Sequence, residues 1–301
     1  QQIIVDGVTT KFNADGIKDE NIVFTGTEAA QAALEARGYE FVSSNFTSGT
    51  KFDDDANTDQ HFVIVMKHGQ QPVTPTDPGK PGEPINPNDP DGPKYPDGSD
   101  QVTKNVTRTI QYVDENGDTV SSSVEQPVHF TAQGILDKVT GQWITPLTWS
   151  GSQAVASVKS PVIAGYHLVS VDRDTAGNDV AGVTLTHEND SYTVTVKYAK
   201  NGKIIPVDPT GKPIPDVPQP QYPTDPTDPA KVTPNEPVPT IPGYTPEVPT
   251  VTPDKPGEDT PVVYHQDVQA TVNYIDDVTG QTLKTDTLQG VEGNKSDYST
   301  K

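Results

Sequence analysis

The chain has 301 residues, a formal net charge of −21 and no cysteine. A chain this acidic repels nucleic acid and anionic lipid headgroups, and without cysteine it can form neither disulfides nor thiolate metal sites. Its 30 prolines are concentrated in residues 70–100 and 201–261, which indicates folded modules joined by proline-rich connectors rather than one large core.

Two further global features concern membranes and export. No apolar run approaches the ~20 residues of a membrane-spanning helix, so we expect no membrane insertion in this segment. The chain does not open with a signal peptide, and its first residues already read as a strand. We therefore expect a segment of a longer protein.

Residues 1–68 alternate between strand and helix signals. A stripe of alanine and leucine over Thr27–Leu34 predicts a helix, which Gly38 ends. The predicted strands are the β-branched or aromatic runs Ile3–Val5, Ile22–Phe24, Tyr39–Val42 and Phe62–Met66. The resulting order, ββαββ, predicts a ubiquitin-like β-grasp module.

Residues 69–101 form the first proline-rich connector. Nine prolines from Pro72 to Pro96 fall at every third position. Polyproline II has three residues per turn, so these prolines would line one edge of an extended rod of roughly 75 Å. We interpret the segment as a stiff linker, with a docking ligand for an aromatic groove as the alternative.

Residues 102–200 read as an all-β module. Short runs of β-branched and aromatic residues recur along this segment, with turn signals such as Asn116–Gly117 between them. Short strands at this spacing predict an antiparallel sandwich or an extended sheet.

Residues 201–266 are a second proline-rich linker, and residues 267–301 open another module. Within the linker, residues 238–265 hold a degenerate β segment, because Ile241, Gly243 and Tyr244 repeat the order of Ile163, Gly165 and Tyr166. The last segment resembles the N-terminal part of residues 1–68, which predicts a further β-grasp module. The predicted fold is therefore mostly β with one α+β module, elongated, with beads joined by proline-rich rods.

An acidic run in the first module is the one candidate for a metal site. Its oxygen-bearing side chains alternate as at the start of an EF-hand calcium loop: Asp53, Asp55, Asn57 and Asp59. Thr58 replaces the glycine of such a loop, and Ile64 stands where a closing glutamate would be needed. The alternatives are a weak Ca²⁺ site and a solvated acidic hairpin.

Aromatic residues of the all-β module are candidates for sugar binding. Trp143 and Trp149 lie in a region rich in serine, threonine and glycine, and Tyr166 follows nearby. Sugars bind where an aromatic face is combined with hydrogen-bonding groups. The alternative is that the two tryptophans fill the core of a small β module.

Catalytic signatures are not found in this sequence. The six histidines are scattered without metal-ligand spacing, and the sequence holds neither a nucleophile elbow nor a phosphate loop. We predict no catalytic residues and no enzymatic activity.

Four segments together resemble the repeats of lactobacillus mucus-binding proteins. They are YIDDVTG at 274–280, GYEFVSSNF at 38–46, TRTIQYVDENG at 107–117, and residues 138–149 with 160–166. In this family of MucBP or MUB-type repeats, a ubiquitin-like β-grasp domain alternates with a second β domain. The resemblance covers residues 1–68, 102–200 and 267–301.

The resemblance implies an extracellular, sortase-anchored protein of the Gram-positive cell wall, with the anchor outside this segment. It implies host mucin glycoproteins as partners, and immunoglobulins as partners of some repeats. Three hypotheses remain open at this point: a mucin-glycan adhesin, a module that binds a host protein through an exposed β-grasp edge, and a passive stalk that projects other domains.

Overall fold

The computed structural model describes residues 1–299, which form twenty β-strands and one helix. The elements of the N-terminal part are β1 (Gln2–Val5), β2 (Val8–Lys11), α1 (Thr27–Ala36), β3 (Tyr39–Ser44), β4 (Val63–His68) and β5 (Gln70–Val73). The middle part holds β6 (Thr103–Val113), β7 (Thr119–Asp137), β8 (Trp143–Trp149), β9 (Gln153–Val155), β10 (Tyr166–Val171), β11 (Thr175–Ala176), β12 (Asp179–Val180), β13 (Val183–Leu185) and β14 (Tyr192–Lys200). The C-terminal part holds β15 (Ile204–Val207), β16 (Glu236–Pro237), β17 (Tyr244–Pro246), β18 (Thr250–Val251), β19 (Thr260–Ile275) and β20 (Thr282–Val291).

The chain divides into two compact units. The first comprises Gln1–Val106, Pro127–Gln153 and Leu185–Asp190, and the second comprises Thr107–Gln126, Ala154–Thr184 and the described chain from Ser191 on. The predicted mostly-β fold with one α+β module is therefore confirmed, while the division into units follows spatial contacts rather than the order of the sequence.

The β-grasp module lies in the first unit. Its sheet has the order β2-β1-β4-β3, with β1 and β4 parallel, so the predicted ββαββ order is confirmed. The helix covers one face, where Ala30 and Leu34 pack against a core that contains Ile3 and Ile64. Gly38 follows the helix with φ of 99°, a conformation that glycine adopts without a steric penalty.

The second strand of this module was predicted at the wrong place. The structure has β2 at Val8–Lys11, because Asp6 and Gly7 both have positive φ and close a two-residue hairpin between β1 and β2. The apolar run at Ile22–Phe24 instead serves packing: Ile22 is buried, and Phe24 lies in a cluster of aromatic rings.

The first connector is folded, which corrects the predicted polyproline rod at residues 69–101. β5 pairs with the end of β7, and the segment after it turns back so that the Ile85 amide donates to the Pro93 carbonyl at 2.9 Å. Ile85 and Val102 are buried in a core shared with Leu136. Each buried side chain of this size stabilises by ~1.5–3 kcal/mol, and proline lowers the entropy lost on ordering, so folding outweighs extension.

The second unit contains a sheet with the strand order β10-β14-β6-β7. β14 runs parallel to β6, with Val194 beside Ile110, and antiparallel to β10, with Tyr198 beside Leu168. These four residues are buried in one core. β7 is one continuous strand of 19 residues from Thr119 to Asp137.

The second connector also has its own core, which corrects the predicted linker at residues 201–266. β15 pairs parallel with the start of β19, and β17 pairs antiparallel with the same strand. Ile204, Tyr222 and Tyr264 are fully buried between them. Some prolines of this segment lie within the strands themselves, such as Pro206 in β15 and Pro246 in β17.

The long strand β19 continues beyond this core into a hairpin with β20. Its pairing runs from Asp267 with Val291 to Ile275 with Thr282. Most side chains of the hairpin are exposed, including Ile275 and Leu283. The hairpin falls within the segment that we predicted to open a further module; of that segment, residues 300–301 lie outside the described chain.

Candidate functional site

Trp143 is a packing residue. It stands opposite Leu136 in the β7–β8 pair and packs against the core that contains Val73 and Leu136. Its ring lies over Gly134, where an added Cβ would come within 2.8 Å of the ring. The indole therefore closes the core over a strand position that has no side chain of its own.

Trp149, at the end of β8, is placed differently. Its ring stacks on the imidazole of His187, with 4.8 Å between the ring centroids and 6° between the ring planes. Both side chains are half-buried rather than enclosed. We call this pair the Trp149–His187 stack. Because each ring turns one face to the other, the opposite faces and the ring edges are the parts that a ligand can reach.

The turn that carries His187 is fixed by its own polar side chains. Asn189 Oδ1 accepts hydrogen bonds from the Thr186 amide at 2.7 Å and from the Thr186 hydroxyl at 3.2 Å. Next to Trp149 in the chain, the Ser150 hydroxyl accepts from the Thr131 amide at 3.2 Å. The turn next to His187 thus contains hydroxyl and amide groups, and groups of these kinds pair with sugar hydroxyls.

A second polar set lies on the outer face of β7. His129 Nδ1 is 2.7 Å from Asn105 Oδ1, and Gln153 donates to the His129 carbonyl at 2.6 Å. Trp149 stands opposite Ala132, which is buried. Side chains alternate along a strand, so His129 and Trp149 point to opposite faces of the sheet. We therefore do not count His129 and Asn105 as neighbours of the stack.

Tyr166 belongs to the second unit and is not brought into the Trp149–His187 stack. Its ring packs against the core that contains Leu168 and Tyr198. Its backbone is held as well: the carbonyl accepts from the Thr224 hydroxyl at 2.7 Å, and the amide donates to the Ile163 carbonyl at 3.1 Å. The contacts of Tyr166 are those of a residue that secures a turn against a core.

The acidic run in the first module forms turns rather than a ligand cage. Asp53 Oδ1 accepts from the Asp55 amide at 3.2 Å, and Asp55 Oδ1 accepts from the Asn57 amide at 2.9 Å. The four predicted calcium ligands are all exposed: Asp53, Asp55, Asn57 and Asp59. Among residues 1–299, no three His, Cys, Asp or Glu side chains converge as a metal site would require. The calcium site stays a prediction from sequence.

The most deeply buried charge in the described chain is the side chain of Arg108, which sequence reasoning did not single out. Its guanidinium donates to Gln126 Oε1 at 2.7 and 2.9 Å, to the carbonyls of Ala156 and Ala181, and to Asp174 Oδ2 at 3.1 Å. Tyr192 also donates to Asp174, at 2.7 Å. These bonds fix the irregular segment 154–184 to β6, so Arg108 supports the second unit rather than forming a binding surface.

Sequence reasoning missed His187 because it is distant from Trp149 along the chain. Its only local signal is its position in the polar turn THEND at 186–190, which is typical of an exposed loop. Nothing in the spacing of the two residues predicts that their rings meet.

Two protein families match the chain. The family described as Mucin binding domain matches residues 6–68 and 268–301, and the family described as Muc B2-like domain matches residues 98–202. The two matches to the first family fall on the β-grasp module and on the hairpin formed by β19 and β20.

Several solved structures are similar to parts of the chain. Mub-RV is 27% identical over 66% of this chain and 96% of its own, with a TM-score of 0.44. The type 2 repeat of the mucus binding protein MUB from Lactobacillus reuteri is 28% identical over 66% of this chain and 97% of its own, with a TM-score of 0.34. A MucBP domain from Lactobacillus acidophilus is 31% identical over 33% of this chain and 93% of its own, with a TM-score of 0.26. No curated protein matches the chain.

Proposed function

This chain belongs to the family of mucus-binding MucBP or MUB-type repeats, and on that premise we propose that it is a segment of a bacterial surface adhesin that binds the glycans of host mucin. The observation that carries the proposal is the match of mucin-binding and Muc B2-like families to residues 6–68, 98–202 and 268–301. We place the protein outside the cell, attached to the cell wall, and assign it no catalytic role. No helix among residues 1–299 is long and apolar enough to cross a membrane.

We place the glycan contact at the Trp149–His187 stack. A pyranose ring has an apolar face of C–H groups that packs on an aromatic plane, while its hydroxyls need hydrogen-bond partners at the edge. The stack offers two half-buried aromatic rings, and the turn that carries His187 also contains the hydroxyl of Thr186 and the side-chain amide of Asn189. The same turn holds His187 in place, so little conformational entropy is lost when a sugar binds.

The charge of the chain favours contacts of this neutral kind. With a formal charge of −21, the protein repels anionic groups on mucin at a distance. Attraction between the two must then come from stacking and hydrogen bonding at short range. An aromatic pair flanked by hydroxyl and amide groups supplies both without adding positive charge.

The experiment compares mucin binding by the wild-type chain with that of Trp149→Ala and His187→Ala. We expect Trp149→Ala to weaken binding by at least about tenfold, and His187→Ala to weaken it less, because the indole is the larger surface. Phe41→Ala is the matched control, since Phe41 is also a half-exposed aromatic, on β3. Circular dichroism verifies that each variant is folded.

The outcomes separate the site from the function. If both Trp149→Ala and His187→Ala still bind mucin, the glycan contact lies elsewhere in the chain, and the adhesin proposal is unaffected. A wild-type chain that binds neither mucin nor its released glycans would overturn the adhesin proposal and favour a passive stalk.

A second candidate function is the binding of a host protein, such as an immunoglobulin, at the edge of the β-grasp sheet. β2 is an edge strand, and all four of its residues are exposed. An exposed edge can accept a strand from a partner through backbone hydrogen bonds. Thr9→Lys places a charge on that edge, so it should weaken binding of immobilised immunoglobulin and leave mucin binding unchanged.

A further inference from the structure

His68 lies between two carboxylates that come from distant parts of the chain. Its Nε2 is 2.9 Å from Asp6 Oδ1, in the turn between β1 and β2, and its Nδ1 is 2.6 Å from Asp137 Oδ2, at the end of β7. His68 is the last residue of β4, so one imidazole contacts both the β-grasp module and the β7–β8 hairpin. All three residues belong to the first unit.

Both contacts require a hydrogen on each ring nitrogen. A neutral imidazole has a single N–H, whereas an ionised carboxylate can only accept, so the arrangement is complete only when His68 is protonated. Other donors already hold the two acids in the ionised state. The Tyr39 hydroxyl donates to Asp6, and the amides of Val139 and Thr140 donate to Asp137 Oδ1 at 2.8 and 3.1 Å.

The pKa shifts agree with this geometry. The hydrogen bond with Asp137 raises the pKa of His68 above its ordinary value of 6.5; burial acts against the shift, and Asp6 adds to it. Hydrogen bonds from Tyr39 and then His68 lower the pKa of Asp6. Burial alone would raise the pKa of Asp137, but the bonds from His68, Val139 and Thr140 outweigh it and lower that pKa.

The remaining charged and titratable groups around His68 do not replace these partners. The Tyr39 and His68 rings are in edge-to-face contact with 5.1 Å between their centroids, and the Arg37 guanidinium lies 5.9 Å from the Tyr39 ring centre. Glu40 pairs with Lys67, one position along the register, so both face the opposite side of the sheet. Lys138 follows Asp137 and packs on glycine backbone.

The backbone at this place is packed tightly. The Gly69 amide donates to the Gly38 carbonyl at 2.8 Å, and the Lys138 amide donates to the Gly69 carbonyl at 2.9 Å. A Cβ added at Gly38 would come within 2.8 Å of Lys138 Cβ. A Cβ added at Gly69 would come within 2.6 Å of the Gly38 carbonyl oxygen. The β-grasp module and the β7–β8 hairpin therefore meet along a seam where the backbone of Gly38 and Gly69 packs directly against Lys138, and His68 precedes Gly69 in the chain.

We propose that His68, Asp6 and Asp137 form a proton-dependent clamp, which fastens the β-grasp module to the β7–β8 hairpin when His68 is protonated and loosens when His68 loses its proton. Because the pKa of His68 is raised, this stabilisation is complete below pH 6.5 and disappears as the pH rises through the raised value. Because the pKa values of Asp6 and Asp137 are lowered, their contribution is present above pH 3.8 and disappears as the pH falls through the lowered values. The seam is therefore tightest between about pH 4 and 6.5.

The first test is carried out on the wild-type chain. NMR titration of the six histidines, with His68 identified from the spectrum of His68→Gln, should give a pKa above 6.5 for His68. Amide exchange at Gly69 and Lys138, corrected for the intrinsic pH dependence, should become faster by roughly 2- to 12-fold between pH 6 and pH 9, the range expected for one net hydrogen bond. A His68 pKa at or below 6.5, or equal protection at both pH values, would overturn the proposal.

The second test uses variants. In the wild-type chain, the thermal stability of the first unit should fall between pH 6 and pH 9. His68→Gln introduces a side chain that cannot change its charge, and Asp137→Asn removes the nearer carboxylate. Neither variant should therefore show this fall in stability. His61→Gln is the matched control, an exposed histidine of the same module whose substitution should leave the pH dependence intact. If His68→Gln and Asp137→Asn keep the wild-type pH dependence, the clamp does not exist.

Discussion

Two regions of the chain, residues 108–200 and 202–266, build the same scaffold at different sizes. In the larger region, the Tyr198 hydroxyl donates to the Pro161 carbonyl at 2.7 Å; in the smaller one, the Tyr264 hydroxyl donates to the Pro239 carbonyl at 2.6 Å. The strand pairs correspond in register, because Ile110 stands beside Val194 as Ile204 stands beside Thr260.

The turns of the two regions correspond as well. Asp114 accepts from the amides of Asn116 and Asp118, and Asp208 accepts in the same way from Thr210 and Lys212. Gly165 and Gly243 have φ of 77° and 80°, and each precedes the tyrosine that opens the next strand. The smaller region is thus a reduced copy of the larger one, as its backbone geometry shows.

The difference between the regions lies in what the scaffold carries. Where the larger region buries Arg108, the smaller one has Gly202, and an added Cβ there would come within 2.1 Å of the Glu258 carbonyl. The chain between Asp118 and Pro161 carries β7, β8 and β9 with both tryptophans, whereas the corresponding chain between Lys212 and Pro239 carries only the short strand β16 and no tryptophan. Under the proposed function, the glycan contact lies in the larger region, which carries Trp149 and His187.

The largest expected change in the free energy of unfolding is at Arg108, which the smaller region lacks. Arg108→Met keeps much of the side-chain volume but removes the guanidinium that donates to Gln126, Asp174 and two carbonyls. Losing one partner of a buried ion pair should lower the free energy of unfolding by about 3–5 kcal/mol. Urea unfolding measures the change. Arg173→Ala, which removes an exposed arginine over the Tyr192 ring, should cost less than about 1 kcal/mol, and equal losses would contradict the role of Arg108.

The next effect tests whether the scaffold is truly shared. Tyr198→Phe and Tyr264→Phe each remove one buried hydroxyl and leave a proline carbonyl without its donor. Each should cost about 1–3 kcal/mol, and the two losses should be similar. Thermal unfolding followed by calorimetry gives both values. A loss at Tyr198 with none at Tyr264 would mean that the smaller region does not depend on this bond.

The smallest expected losses of stability are those of alanine substitutions at Gly243 and Gly165, and the two should differ. Gly243→Ala meets no atom within 4 Å, so its cost should be the conformational penalty of positive φ alone, about 1 kcal/mol. Gly165→Ala should cost more, because the new Cβ would come within 2.8 Å of Gln221 Oε1. Chemical denaturation of both variants compares them directly, and equal costs would show that Gln221 moves aside freely.

The sequence predicts elements whose signal is local and fails where a contact is distant. The alanine and leucine stripe with Gly38 locates the helix, but β2 has four exposed residues and no apolar alternation to reveal it. The regular prolines of residues 69–101 suggest an extended rod. The segment folds instead, because Ile85, which lies between these prolines, is buried in a core with Leu136. At the candidate site, the sequence indicates Trp149, because it is an aromatic residue in a polar segment. It does not indicate the partner His187, which lies in a separate loop.

The most direct test of the central claim uses the two tryptophans as separate reporters. In an ¹⁵N-labelled chain they give two indole N–H signals, which Trp149→Phe assigns. Addition of glycans released from mucin should shift the Trp149 signal and the amides of residues 186–190, and leave the Trp143 signal and the amides of residues 204–266 unchanged. Shifts confined to residues 204–266, or a response of Trp143 without Trp149, would contradict the account.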